Sequence, residues 1–144
     1  MEDVRAILQQ ITRGFGLLNK TCCTVGPFDI SLVQSHILYE IDRQHQPSMQ
    51  QIADKLGMDI TTFSRQVQTL VRKKLVAKTP SPHDRRIHIL SLTTEGKFVA
   101  AAIDQQVNEY LRQIFSHMNE FEKETVIRSL KLLSESMSKV PACC

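Results

Sequence analysis

The amino-acid sequence predicts a mainly α-helical protein with one small β-hairpin, which follows from two observations. Apolar residues recur at steps of three and four over most of the 144 residues, the period of a helix with one buried face. Between residues 75 and 92 the pattern changes to two short β-prone runs separated by a turn-rich segment. With 42% hydrophobic residues, a chain of this length is expected to form a single domain with a real core.

Composition excludes several classes of protein. No apolar run approaches the roughly 18 residues of a membrane span, and the Met-Glu-Asp start is unlike a signal peptide. The four cysteines form two adjacent pairs rather than the spread pattern of a secreted disulfide framework. No catalytic triad, phosphate loop or metalloprotease motif occurs. We therefore expect a cytoplasmic protein with reduced thiols that is not an enzyme, does not bind membranes and requires no cofactor.

The first two helices are predicted from apolar spacing and from a capping box. An apolar stripe that begins at Val4 predicts a first helix over residues 3–20, followed by a loop over 21–29. Ser31 and Gln34 have the spacing of a capping box, in which each side chain bonds to the other residue's backbone N–H. A second helix therefore starts there and runs to about residue 44.

A helix-turn-helix is predicted next. Ser48 and Gln51 form another capping box that opens a short third helix, and Gly57 supplies the left-handed residue that ends it. Asp59 then caps a fourth helix. The predicted inward face of this fourth helix consists of Phe63, Val67, Leu70 and Val71.

The hairpin and two further helices complete the chain. The β-prone runs cover residues 75–79 and 87–92, Thr93 caps a long fifth helix, and Asn119 with Glu122 caps a sixth. The resulting expectation is one domain over 1–144, with a winged helix-turn-helix lobe at about 31–92. The helices at 1–20 and 93–140 have apolar faces that so small a lobe cannot cover, so a second copy of the chain is expected to cover them.

Positive charge is concentrated in the fourth helix and the hairpin. Residues 59–90 contain seven Lys or Arg against two Asp, whereas the whole chain has a net charge of only +3. A polar helix beside a basic hairpin suits double-stranded DNA, because the helix fits the major groove and the hairpin reaches phosphates and the minor groove.

Individual DNA contacts follow from position on the fourth helix. Arg65 lies about 200° around the helix from the buried Phe63 and so faces outward. The leading candidates to read base edges are Thr61, Thr62 and Arg65, followed by Ser64 and Gln66. Candidates for phosphate contacts near the other end are Arg72, Lys73 and Lys74. The remaining candidates are Ser48 on the third helix and Asp84, Arg85 and Arg86 at the hairpin tip.

These residues resemble the MarR-type bacterial transcriptional regulators. The resemblance rests on Gln51-Ile52-Ala53 with Leu56, on Thr62-Phe63-Ser64-Arg65 with Leu70 and Val76, and above all on Asp84-Arg85-Arg86 followed by Leu92-Thr93-Thr94-Glu95-Gly96. It implies a homodimeric repressor that places two recognition helices in successive major grooves of a near-palindromic operator. It also implies that Arg86 enters the minor groove, oriented by Asp84, and that a ligand pocket lies near Phe15 and His36. Lys74 departs from the pattern, since such proteins usually have Gly there.

Two questions stay open at the level of sequence. Cys22, Cys23, Cys143 and Cys144 are either ordinary thiols or a sensor of oxidants or soft metals. Zinc is disfavoured, because adjacent cysteines do not form the usual chelating loop, so no metal ligand is assigned. The inducer is then a small molecule, a thiophilic metal or an oxidant. The alternative to a DNA-binding regulator is a winged-helix module that contacts acidic proteins without binding specific DNA.

Overall fold

A computed structural model describes residues 3–16 and 23–143, and these residues form six helices and two antiparallel two-stranded sheets. The elements are α1 (Val4–Gly14), β1 (Cys23–Val25), β2 (Phe28–Ile30), α2 (Leu32–Arg43), α3 (Met49–Leu56), α4 (Ile60–Arg72), β3 (Val76–Pro80), β4 (His88–Leu92), α5 (Thr94–Phe115) and α6 (Glu120–Met137). They fall into two compact units, Met1–Gln105 and Gln106–Cys144. The prediction of a mainly helical fold with a hairpin wing is confirmed.

The capping boxes read from the sequence are present at the start of three helices. Ser31 accepts a hydrogen bond from the Gln34 backbone while the Gln34 side chain accepts one from the Ser31 backbone, both at 3.1 Å. Ser48 with Gln51 and Asn119 with Glu122 repeat this exchange. Each box satisfies N–H groups that have no partner within the helix, which is why these helix starts could be predicted closely.

The segment between α1 and α2 differs from its prediction. Residues 21–29 were expected to be a loop, but Cys23–Val25 and Phe28–Ile30 pair as a hairpin around Gly26, whose φ is 57°. Cys23, Val25 and Ile30 are buried. Strands of three residues are too short to show the alternation by which a strand is recognised in sequence, so the prediction was wrong here. The final residues of the predicted first helix lie outside the described residues.

One core fills the first unit. Its largest fully buried side chains come from the β1–β2 hairpin, from α2 to α5 and from the wing, and they include Ile30, Ile37, Leu38, Ile52, Phe63, Leu70, Leu75, Leu90 and Val99. The inward face predicted for α4 is correct for Phe63, Val67 and Leu70 but wrong for Val71, which is 36% exposed. Val71 follows the fully buried Leu70 by one residue, or about 100° around the helix, and so sits at the edge of the buried stripe.

Both helices of the helix-turn-helix end on a left-handed residue. Gly57 has a φ of 66° after α3, and Lys74 has a φ of 63° after α4. At the second site the Lys74 N–H donates to the Val71 carbonyl and the Leu75 N–H donates to the Leu70 carbonyl, the bond pattern of a Schellman motif. Lys74 therefore adopts the left-handed conformation that glycine tolerates best. It does so at the position where the sequence departs from the expected Gly.

The start of α5 is joined closely to the end of α4. The Thr93 hydroxyl donates to the Lys74 carbonyl at 2.7 Å, and the Thr93 N–H donates to the Leu75 carbonyl at 3.1 Å. The same hydroxyl caps α5 by accepting from the Gly96 N–H. A Cβ on Gly96 would collide with the Leu75 carbonyl oxygen. The Leu-Thr-x-x-Gly pattern, where the chain leaves the wing, thus packs against Lys74 and Leu75, where the chain enters it.

The first and last helices present apolar faces to solvent. None of the residues of α1 or of α6 is buried within the described chain. The exposed apolar side chains of α1 are Val4, Ile7, Leu8 and Ile11. Those of α6 are Phe121, Ile127, Leu130, Leu132, Leu133 and Met137. No helix in the described residues is long and apolar enough to cross a membrane.

Candidate DNA-binding interface

The N-terminus of α4 is held by Asp59. Its carboxylate accepts the Thr62 backbone N–H at 2.9 Å and the Thr62 hydroxyl at 2.8 Å. These two bonds, the backbone bond first, lower the pKa of Asp59 below its ordinary value of 3.8. The cap is therefore ionised near neutral pH and fixes the first turn of the helix predicted to read bases.

The outward face of α4 carries the predicted base-reading side chains. Thr61, Thr62 and Arg65 are exposed, and Ser64 and Gln66 are half-buried on the flanks. Because the Thr62 hydroxyl already donates to Asp59, its oxygen keeps acceptor capacity and its methyl group remains available for apolar contact. Arg65 retains a guanidinium whose geometry can fork to the O6 and N7 atoms of guanine.

The tip of the wing holds Arg86 in a fixed orientation. The Asp84 carboxylate accepts from the Arg86 backbone N–H at 3.0 Å and from its guanidinium at 3.2 and 3.1 Å. The guanidinium bond is the main cause of the lowered pKa of Asp84. The Arg86 side chain is nevertheless 91% exposed. It therefore projects into solvent while hydrogen-bonded to Asp84, and the neighbouring Arg85 is exposed as well.

A hydrogen-bonded connection joins the wing to α3. The Leu90 N–H donates to the Pro47 carbonyl at 2.8 Å, and Ser48 forms a β-bridge with Ile89. The first residue of the helix-turn-helix is thereby placed in the same small sheet as the wing. This connection sets the spacing between α3 and the wing.

A cleft of about 350 Å³ lies between α3, α4 and the wing. Its lining includes Ser48, Ser64 and Arg86, three predicted site residues that are far apart in sequence. Lys78, His88 and Ile60 also line it and were missed by the sequence analysis. The excess of positive charge over residues 59–90 could have indicated Lys78, whereas no pattern marks His88 or Ile60.

At the C-terminal end of α4, the side chain of Lys73 contacts the protein itself. Its ammonium group donates to the backbone carbonyl of Asp29 in β2 at 3.0 Å. Arg72 donates to the Thr69 hydroxyl at 3.3 Å, and both Arg72 and Lys74 are exposed. Lys73 is thus engaged with the protein itself, while its neighbours face solvent.

The lining of this cleft does not include the described candidate pocket and cysteine residues, which are Phe15, His36, Cys23 and Cys143. Phe15, at the end of α1, and His36, on α2, are both exposed. Cys23 is buried in the core and Cys143 is exposed, whereas Cys22 and Cys144 lie outside the described residues. Within residues 3–16 and 23–143, no group of three or more His, Cys, Asp or Glu side chains is arranged to hold a metal ion.

Fold and interface together define a winged helix-turn-helix protein. Comparison with known sequences points to one family within this class. A family model described as MarR family matches residues 28–87. The HTH-type transcriptional regulator PapX of Escherichia coli is 32% identical over 99 residues, which cover 67% of this chain and 60% of PapX. Residues 28–87 therefore match the MarR family, and PapX is named a transcriptional regulator.

Solved structures agree with this fold. FabT of Streptococcus pneumoniae, crystallised in complex with DNA, aligns with a TM-score of 0.82 at 21% identity, over 96% of this chain and 100% of FabT. A cysteine-to-serine mutant of MarR from E. coli, complexed with operator DNA, aligns at 0.71 with 25% identity, over 90% of this chain and 91% of that protein. By sequence, the chain spans 46% and 62% of the length of two related Bacillus subtilis regulators.

Proposed function

We propose that the protein is a cytoplasmic transcriptional regulator that binds double-stranded DNA of defined sequence. The observation that carries this proposal is the cleft between α3, α4 and the wing, where Ser48, Ser64 and the exposed Arg86 come together. DNA-bound structures of FabT and MarR, which share the fold, support it. The family further supports a repressor, which occupies an operator until a signal releases it.

The two basic elements have different parts in binding. The N-terminal turns of α4 enter the major groove, where Thr61, Thr62 and Arg65 face base edges. The wing carries Arg86 toward the adjacent minor groove, and the hydrogen bonds that Arg86 donates to Asp84 reduce the ordering that binding would otherwise require. The N-terminus of α3, with Ser48, and the exposed Arg72, Lys74 and Arg85 contact phosphates.

The proposal is tested by measuring binding to a duplex that contains the DNA upstream of the protein's own gene. Arg65→Ala removes a candidate fork to guanine and is expected to weaken binding to the cognate site by about 1–3 kcal/mol, with a smaller effect on unrelated DNA. Arg86→Ala is expected to weaken both, because minor-groove and phosphate contacts discriminate less between sequences. Fluorescence anisotropy at several salt concentrations measures each affinity.

A matched control for these variants is Lys97→Ala, which removes one exposed positive charge from α5 outside the cleft. It should leave binding nearly unchanged. If the unmodified protein showed no salt-sensitive binding to any duplex, or if Arg65→Ala and Lys97→Ala behaved alike, the proposed interface would be wrong.

The active form is a homodimer held by the apolar faces of α1 and α6. Both faces are exposed in a single chain, and burying such surface is the main driving force for association. Two-fold symmetry would then present two recognition helices to a near-palindromic operator. An inducer releases the operator by binding more tightly to a dimer shape whose helices no longer match the grooves.

The release signal is a small molecule bound near Phe15 and His36 or a species that reacts with the cysteines. Replacing Cys22, Cys23, Cys143 and Cys144 with Ser distinguishes the two. If oxidants or thiophilic metals still release the four-serine protein from DNA, the thiols are not the sensor. Thermal shift screening of phenolic acids then identifies ligands that bind the folded state.

A further inference from the structure

The β1–β2 hairpin is attached to the lobe that carries α4. Cys23, Val25 and Ile30 are buried in the same hydrophobic cluster as Val67 and Leu70, so the hairpin belongs to the core rather than to the surface. Its turn is formed by Gly26, and Thr24 donates to the Asp29 carboxylate across the two strands at 3.2 Å. A paired and partly buried hairpin of this kind can serve as a fixed support.

Lys73 connects this support to the end of α4. Its ammonium group reaches the Asp29 backbone carbonyl at 3.0 Å, across 44 positions of sequence. Lys73 is the C-cap residue of α4, directly before the left-handed Lys74. The bond therefore acts where the helix stops and the chain turns into the wing, at the opposite end from Thr61 and Thr62.

We propose that Lys73 is a positioning residue, which sets the orientation of α4 through the β1–β2 hairpin, rather than a phosphate contact. This inference rests on the proposed function, since orientation matters only if α4 reads DNA. A helix of 13 residues is about 20 Å long, so a tilt of about 3° at one end moves the other by about 1 Å. Base-edge hydrogen bonds are sensitive to such a displacement, whereas phosphate contacts from flexible side chains tolerate it.

The two roles predict different binding behaviour for Lys73→Met, which keeps the length of the stem but loses the donors. Loss of a phosphate contact weakens binding to all sequences alike and lowers the salt slope by about one unit. Loss of a positioning bond weakens cognate binding, leaves binding to unrelated DNA unchanged and keeps the salt slope. Lys73→Arg keeps a donor for the Asp29 carbonyl and should restore selectivity.

The experiment measures cognate and unrelated duplex affinities across a salt series for the unmodified protein, Lys73→Met, Lys73→Arg and Lys97→Met. The last variant makes the same change at an exposed lysine of α5 outside the cleft. We expect Lys73→Met to reduce the ratio of cognate to unrelated affinity by about tenfold, the effect of roughly one lost base contact. Lys97→Met should leave that ratio unchanged.

Amide hydrogen exchange without DNA provides an independent reading. Lys73→Met should speed exchange in the β1–β2 hairpin, and Lys73→Arg should not. Uniform weakening with a lower salt slope, or unchanged hairpin exchange, would overturn the positioning role. If the unmodified protein bound no duplex, the proposed function would fail, and the exchange data alone would still show whether Lys73 couples the hairpin to α4.

Discussion

Single residues at helix ends determine how α4 is held. Asp59 caps its start through Thr62, and Lys74 closes its end in a left-handed conformation that costs a non-glycine residue free energy. The first could be predicted from the sequence, because an Asp before an apolar helical pattern is a strong start signal. The left-handed Lys74 could be expected only from the resemblance to a family with Gly at that place.

Replacing Lys74 with Gly should stabilise the protein. Glycine removes a left-handed penalty of about 1–2 kcal/mol, and the greater freedom of the unfolded chain offsets about 0.4–1 kcal/mol of that gain. The expected increase in the free energy of unfolding is thus about 0.5–1 kcal/mol, measured by denaturant unfolding. Lys74→Val should have the opposite sign, since β-branched residues tolerate this conformation poorly. Equal stability of the two variants would contradict the assignment.

Acid should remove the advantage of an ionised cap on α4. The pKa of Asp59 is lowered in the folded protein, so its stabilising effect is fully present above the unfolded pKa and is lost as the pH falls through the folded pKa, below 3.8. Asn also caps helices but carries no charge. The stability difference between the unmodified protein and Asp59→Asn should therefore shrink between about pH 5 and pH 2. A difference that is constant over this range would show that the carboxylate charge does not contribute.

At the scale of elements, α4, the wing and α5 are held together at one junction beside the candidate DNA-binding interface. Thr93 bonds to the backbone at Lys74 and Leu75, and Gly96 packs directly on the Leu75 carbonyl. The first turn of α5 is therefore fixed directly to the end of α4 and to the start of the wing.

Gly96→Ala tests how tightly this junction is packed. The added Cβ meets backbone rather than a flexible side chain, so α5 or the wing has to shift. Overpacking of this kind costs about 1–3 kcal/mol, measured as a lower midpoint of denaturant unfolding. Thr94→Ala, an exposed change in the same turn, is the control and should be nearly neutral. If Gly96→Ala were as stable as Thr94→Ala, the close approach of α5 to Leu75 would be incorrect.

At the scale of the whole molecule, the exposed apolar faces of α1 and α6 support the proposed homodimer. Placing a charge in such a face opposes association, because the buried charge would lack a partner. We expect Leu133→Glu, on α6, to shift the protein from dimer to monomer in light scattering and to lower operator affinity. Ser136→Glu adds the same charge at an exposed polar residue of α6 and serves as the control. An unmodified protein that is monomeric at working concentrations would contradict the dimer.

Local signals explain how much could be predicted without coordinates. The capping boxes at Ser31, Ser48 and Asn119, the left-handed Gly57 and the apolar periods all act within a few residues, so the sequence by itself determined the helices, the wing and the outward face of α4. Only the tertiary structure decided the β1–β2 hairpin, the bond from Lys73 to Asp29 and the meeting of Ser48, Ser64 and Arg86 at one cleft. Those features depend on contacts between distant parts of the chain, and packing of the shared core, rather than any short pattern, selects them.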